Sequence, residues 1–235
     1  MGARYPSLGA AAPPRAMLVL DLNGFLLHRV RGQAKPPEGY TLLPSGFFAV
    51  KLRPGARQFL RWALERFAVV VWSTAQLKNV QPLVDLLLEG VEGAPRGLVA
   101  VWGQDRCTAT GLYPFKDSPE KEMVLKELAS LWRHFGGLYG EESTVLVDDS
   151  SYKAALNPPL TSVHPPEWCG ADADAAGVLE LDPPSPLVTL LEAAARAGDA
   201  REAVREHDPW PRRRQPAHLE EIRKALPKLG RPERR

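Results

Sequence analysis

Three apolar runs in this chain stop abruptly at residues that could do chemistry. Asp21 follows MLVL, Ser73 follows VVVW, and the pair Asp148-Asp149 follows TVLV. In a sheet of parallel strands the carboxyl ends face one crevice, and ligands bind there. A carboxylate, a hydroxyl and a carboxylate pair converging in that crevice would make a phosphoryl-transfer site. Oxygens from Asp21 and from Asp148 or Asp149 suit Mg²⁺, which takes one or two carboxylates and keeps its other positions for water and phosphate. A carboxylate can attack phosphorus to give an acyl phosphate, with the metal neutralising the charge that otherwise keeps two anions apart. Such a site also wants a compact positive charge for the phosphoryl oxygens. Lys126 is the first choice, and Lys116 and Lys121 lie near it in the chain.

The elements that must position these residues can be read from hydrophobic spacing and from proline, which falls mostly between the apolar runs. Met17–Leu20, Ala68–Trp72, Leu98–Trp102 and Thr144–Val147 are short and continuously apolar, as strands buried on both faces are. Residues 47–52 and 161–164 read as further extended stretches. Between them, 59–67 and 80–88 carry apolar residues at helical spacing, 120–132 reads as a longer helix containing Lys126, and 187–197 closes the globular part as a helix. Strands and helices alternating in this way predict an α/β fold, an open and mostly parallel sheet covered by helices on both faces.

The quoted residues fall in an order that resembles the motifs of the haloacid dehalogenase superfamily. Leu18-Val-Leu-Asp21-Leu-Asn23-Gly24 comes first, then Leu52-Arg53-Pro54-Gly55 and Trp72-Ser73-Thr74-Ala75. Lys126-Glu127-Leu128, Val147-Asp148-Asp149-Ser150 and the run Tyr152-Lys-Ala-Ala-Leu-Asn-Pro-Pro159 complete it. More narrowly the chain is similar to the RNA polymerase II C-terminal-domain phosphatases and the small phosphatases resembling the nuclear LIM interactor-interacting factor. The resemblance implies that Asp21 is the nucleophile, that Ser73, Thr74 and Lys126 hold the phosphoryl group, and that Mg²⁺ sits on Asp21, the backbone carbonyl of Asn23, Asp148 and Asp149. It also implies a small insert between the second and third motifs that builds a substrate platform, where Arg106 lies.

Two residues depart from that pattern. Phe25 stands where the family usually has Thr, and Asn23 stands where it has the Asp that protonates the leaving oxygen and then activates water. An amide keeps the size and the hydrogen bonds of Asp but cannot shuttle a proton. Loss of a positioned acid–base group costs on the order of 10²- to 10⁴-fold in rate. The resemblance therefore implies a Mg²⁺-dependent phosphatase acting on phosphoserine or phosphothreonine in proteins through an aspartyl-phosphate intermediate, slowed at Asn23. The alternative is a pseudophosphatase serving as a protein-binding scaffold, similar to the presequence-receptor subunit of the mitochondrial import translocase.

Composition bounds the remaining questions. At 235 residues, with 44% hydrophobic and 25% charged, the chain fits one globular domain, and wholesale disorder, collagen and a disulfide scaffold are excluded. Cys107 and Cys169 stand alone, without a nearby ligand pair, so a thiolate zinc site is excluded too. No apolar run reaches the roughly 18 residues a membrane span needs. The expected division is a flexible N-terminus over 1–16, a phosphatase-like domain over 17–207 and a basic tail over 208–235. The tail carries nine Lys or Arg against three Glu from Pro211 onward, so the overall charge of +2 hides an acidic body. A short helix at 219–226 is expected within it. A soluble monomer of the nucleus or cytoplasm, with the mitochondrion as the lesser alternative, is expected to meet a phosphoprotein or protein segment, and nucleic acid only through the tail.

Overall fold

A computed structural model of the chain describes residues 16–33, 35–91, 97–112, 122–171 and 177–211. The expected N-terminal segment up to residue 15, and the basic tail from 212 onward with its helix at 219–226, lie outside the described residues.

Five strands form the central sheet. β1 (Met17–Leu20) lies in the middle, between β5 (Ala68–Trp72) and β9 (Thr144–Val147), with β6 (Leu98–Trp102) beyond β5 and β10 (Ser162–Val163) beyond β9. Every pairing among them is parallel. Alternate side chains divide the apolar content between two cores. Leu18, Leu20, Val69, Val71, Val145 and Val147 pack on one face, against α1 (Ala56–Arg66), α2 (Leu77–Leu88), α4 (Pro186–Arg196) and α5 (Ala200–His207). Met17, Val19, Val70, Trp72 and Leu146 pack on the other, against α3 (Leu128–His134). Burial on both faces is why these strands show no polar alternation.

The register brings the polar termini level. Met17–Leu20 runs beside Ala68–Val71 on one flank and Thr144–Val147 on the other, one residue for one. The first residues past β1 and β9, Asp21 and Asp148, are therefore neighbours, and the Asp21 amide donates to the Val147 carbonyl at 3.0 Å.

A second, antiparallel sheet leaves the body directly after the first motif. β2 (Leu27–Arg31) pairs with β4 (Phe48–Leu52), and β3 (Thr41–Leu42) adds to the far side of β4. The extended stretch expected at 47–52 belongs here, outside the parallel sheet. Gly55, at φ 80°, then turns the chain into α1, in the left-handed region that favours glycine.

The helix expected over 120–132 is corrected. Val124–Leu125 forms a strand, β8, antiparallel to β7 (Thr108–Ala109), and α3 begins only at Leu128. Met123, Val124 and Leu125 are apolar in succession, and Met123 and Leu125 fill a small core of their own with Leu112, Tyr152 and Ala155. That packing overrides the weak 3.6-residue spacing. Lys126 therefore sits at a strand end, as Asp21 and Asp148 do. The small insert between the second and third motifs is the β7–β8 ribbon.

Candidate active site

Asp21 and Asp148 follow adjacent strands into the interior, with side chains 4% and 0% exposed, and a carboxylate taken so far from water needs partners. Two lysines supply them. Lys126, wholly buried, places its Nζ 2.7 Å from Asp21 Oδ1 and 2.5 Å from Asp148 Oδ2. Lys153 places its Nζ 2.8 Å from Asp148 Oδ1, 3.3 Å from Asp21 Oδ2 and 3.7 Å from Asp149 Oδ1. The two ammoniums bridge the same two carboxylates.

The backbone around the lysines is tied down. The Lys126 amide donates to the Lys153 carbonyl at 2.7 Å, and Asn157 Nδ2 donates to the Lys126 carbonyl at 2.9 Å. Asn157 Oδ1 also accepts from the amide of Leu128, the first residue of α3. The carbonyl of Asp148 accepts from His164 Nδ1, which places a proton on that nitrogen, and Nε2 lies 3.1 Å from the Ser162 hydroxyl.

The charges separate the acidic pair. Burial alone would push the Asp148 carboxyl up, but the Lys126 and Lys153 ammoniums outweigh it and hold it well below the usual carboxylate range. Asp149 goes the other way. Burial, reinforced by the charges of Asp148 and Asp21, pushes it up to about 8 against the opposing Lys153 and the Ser150 hydroxyl. Lys153 is lowered by burial but raised further by Asp148, Asp21 and Asp149, and ends well above its ordinary value. Asp149 Oδ2 accepts from the Ser150 hydroxyl at 2.9 Å, whereas its buried Oδ1 has no hydrogen-bond donor.

That orphaned oxygen is a test of whether the residues suit the metal implied by the motifs. Asp21, Asp148 and Asp149 each offer a carboxylate oxygen within 4.8 Å of the others. Hard oxygen donors suit Mg²⁺, and a cation would satisfy the buried Oδ1.

The other expected residues sit around this centre. Ser73 follows β5 beside β1 and is buried; its Oγ accepts from the Ala75 amide at 3.2 Å, so it also holds the turn that carries half-exposed Thr74. Asn23 Oδ1 accepts from the Arg29 amide at 2.9 Å and so ties the middle of β2 to the first motif. Gly24, at φ 86°, lets the chain pass the acidic pair: a Cβ there would lie 3.1 Å from the Asp149 side chain and 3.1 Å from that of Glu167. Arg106 is apart from the carboxylates in its contacts, with its guanidinium 5.5 Å from the Trp102 ring centroid and an exposed pairing with Asp105. Phe25 is fully buried and packs edge-to-face on Phe59 at 5.9 Å, so it belongs to the core.

Lys153 is the residue that the sequence reading did not assign. The signal for it was its place in the run after the acidic pair, four residues beyond Asp149 on a tight turn, Ser151–Ala154. Asn157 stands in the same run.

With this geometry in view, a family model of NLI interacting factor-like phosphatases matches residues 16–201. The chain belongs to that family. Among its relatives is an uncharacterized FCP1 homology domain-containing protein of Schizosaccharomyces pombe, 26% identical over 159 residues, which are 65% of this chain and 61% of the relative. A structure of the fission yeast RNA polymerase II CTD phosphatase Fcp1 bound to beryllium fluoride overlays with a TM-score of 0.44 at 16% identity, covering 92% of this chain and 56% of that one. A second Fcp1 structure gives 0.43 at 18% identity, covering 92% and 62%. This family member thus spans about three-fifths of the length of these relatives. No helix among the described residues is long and apolar enough to cross a membrane.

Proposed function

We propose that residues 17–207 form a Mg²⁺-dependent phosphatase domain that transfers the phosphoryl group of a phosphoserine or phosphothreonine side chain to Asp21. The observation that carries this reading is the meeting of Asp21, Lys126, Asp148 and Asp149 just past the ends of β1, β8 and β9, with Lys126 in ion-pair contact with Asp21 and Asp148 and away from water. A carboxylate is a nucleophile toward phosphorus once the repulsion between the two anions is offset. Lys126, already on Asp21 Oδ1, supplies fixed positive charge beside the attacking group. Asp148, Asp149, Asp21 and the Asn23 carbonyl would hold Mg²⁺, whose chemistry when bound is to neutralise phosphoryl charge.

Ser73, with the amides of the turn behind it, is proposed to receive the phosphoryl oxygens, and Thr74 and Arg106 to meet the rest of the substrate. The Asp21 carboxylate attacks phosphorus as the P–O bond to the ester oxygen breaks; water then attacks phosphorus, the P–O bond to Asp21 breaks to release phosphate and the free carboxylate, and the proton water gives up reaches the departed alkoxide through solvent. Asn23 can hydrogen-bond at this position but donates no proton to a leaving alkoxide, so aryl phosphates should turn over faster than phosphoserine peptides. The same amide is the specific ground for a second reading, a phosphopeptide-binding scaffold with little turnover.

Phosphate release from para-nitrophenyl phosphate, with Mg²⁺ and with chelator, tests the proposal. Hydrolysis that needs Mg²⁺ and vanishes in Asp21→Asn is expected. Hydrolysis that survives Asp21→Asn would overturn it, and an inert protein that still binds phosphopeptide would favour the scaffold.

A further inference from the structure

Lys153 occupies the oxygens that a metal would need. Both oxygens of Asp21 and both of Asp148 lie within 3.3 Å of an ammonium nitrogen: Lys126 takes Asp21 Oδ1 and Asp148 Oδ2, and Lys153 takes Asp21 Oδ2 and Asp148 Oδ1. Within the acidic cluster only Asp149 Oδ1 has no hydrogen-bond donor, and Lys153 stands 3.7 Å from it as well. Mg²⁺ demands oxygen ligands at about 2.0–2.1 Å in near-octahedral geometry. Each of these oxygens keeps a second lone pair, but a cation seated on them would stand a few ångströms from both ammonium nitrogens and be repelled by them.

Charge balance points the same way. With all three carboxylates ionised, as ligation requires, two lysines leave the cluster at one net negative charge. Adding a divalent ion on top would leave one net positive charge buried, whereas exchanging one ammonium for the ion leaves none. Burial of uncompensated charge is costly, so exchange wins over addition. The two lysines are not equivalent. Lys126 is 0% exposed and enclosed between Asp21 and Asp148, while Lys153 is 8% exposed, at the outer edge of the cluster.

We propose that Lys153 is a resident counter-cation exchanged for Mg²⁺ when the metal loads, so that this side chain sets the metal affinity of the site and keeps the metal-free carboxylates compatible with burial. The inference rests on the phosphatase reading for its assignment of the metal ligands.

Two measurements test it. Calorimetric titration of Mg²⁺ into Lys153→Met should show binding at least tenfold tighter than in the wild type, because no ammonium competes. Pulsed acetylation of the wild-type protein with acetic anhydride, read by peptide mass spectrometry, should show Lys153 at least fivefold more reactive at saturating Mg²⁺ than in chelator, with Lys126 protected in both. The acetylation needs no variant, so it decides the matter if Lys153→Met does not fold. Equal or weaker Mg²⁺ binding in Lys153→Met, or Lys153 still protected in a Mg²⁺-loaded protein, would overturn the exchange. Absence of Mg²⁺ binding in both proteins would overturn it as well. Hydrolysis separates this inference from the phosphatase reading: exchange without Asp21-dependent turnover refutes only the latter, and turnover without exchange refutes only the former.

Discussion

Replacing Lys126 by Met removes one of the two ammoniums that hold Asp21 and Asp148 inside the protein. Met retains much of the side-chain volume, so the loss is electrostatic rather than a cavity. Breaking a buried ion pair from one side costs about 3–5 kcal/mol, because the remaining charge is left in a medium that solvates it poorly. Here Lys153 still reaches both carboxylates, at 3.3 and 2.8 Å, so the lower end, about 3 kcal/mol, is expected. For a chain of this size about 1 kcal/mol moves the melting temperature by about 2–4 °C, so Lys126→Met should melt about 6–12 °C lower. The assay is thermal unfolding at neutral pH with chelator present, so that no metal fills the gap. Adding Asp148→Asn to Lys126→Met removes one of the stranded charges and should recover part of the loss, a coupling of about 1 kcal/mol or more between residues in contact. A fall of less than about 2 °C, or two substitutions whose costs simply add, would show that the cluster does not bear the charge balance described.

Other consequences are open to measurement. Asn23→Asp keeps the acceptor for the Arg29 amide and restores a proton shuttle, so hydrolysis of aryl phosphates at saturating Mg²⁺ should rise on the order of 10²-fold or more, and Asp21→Asn in that background should abolish the gain. Because Phe25 lies in the core against Phe59, Phe25→Ala should cost about 3–5 kcal/mol in a denaturant melt while leaving the Mg²⁺ affinity of the folded protein unchanged. Burial lowers the His28 pKa from its ordinary 6.5, against the opposing charge of Glu167. The unfolded chain then takes up this proton at higher pH than the folded one, so the stability due to neutral His28 is complete above about pH 6.5 and lost as pH falls below it. An NMR titration of the His28 ring should place its midpoint below 6.5, and the difference in melting temperature between wild type and His28→Gln should shrink on going from pH 7.5 to 5.5.

The strands of the central sheet were legible because burial on both faces writes continuous apolar runs into the chain, and the polar residues that end them mark the crevice. Asp21, Ser73, Asp148 and Asp149 were singled out in that way, from local pattern alone. The tertiary structure decided what a local pattern cannot carry. Lys126 meets Asp21 across 105 positions of the chain and Lys153 meets it across 132, and only the register of β1 with β9 and the docking of β8 on the turn after β9 bring them together. In sequence, Lys153 is one lysine among 30 Lys and Arg. The placing of Lys126 in a helix failed for a related reason: the packing of Met123 and Leu125 against Leu112 and Tyr152 selected a strand where apolar spacing permitted a helix. Phe25 likewise lies four residues past Asp21 in the chain, yet the turn at Gly24 sends it into the core. Periodicity reports which residues must leave water, whereas the charge each buried residue meets depends on chain segments that only the completed fold makes adjacent.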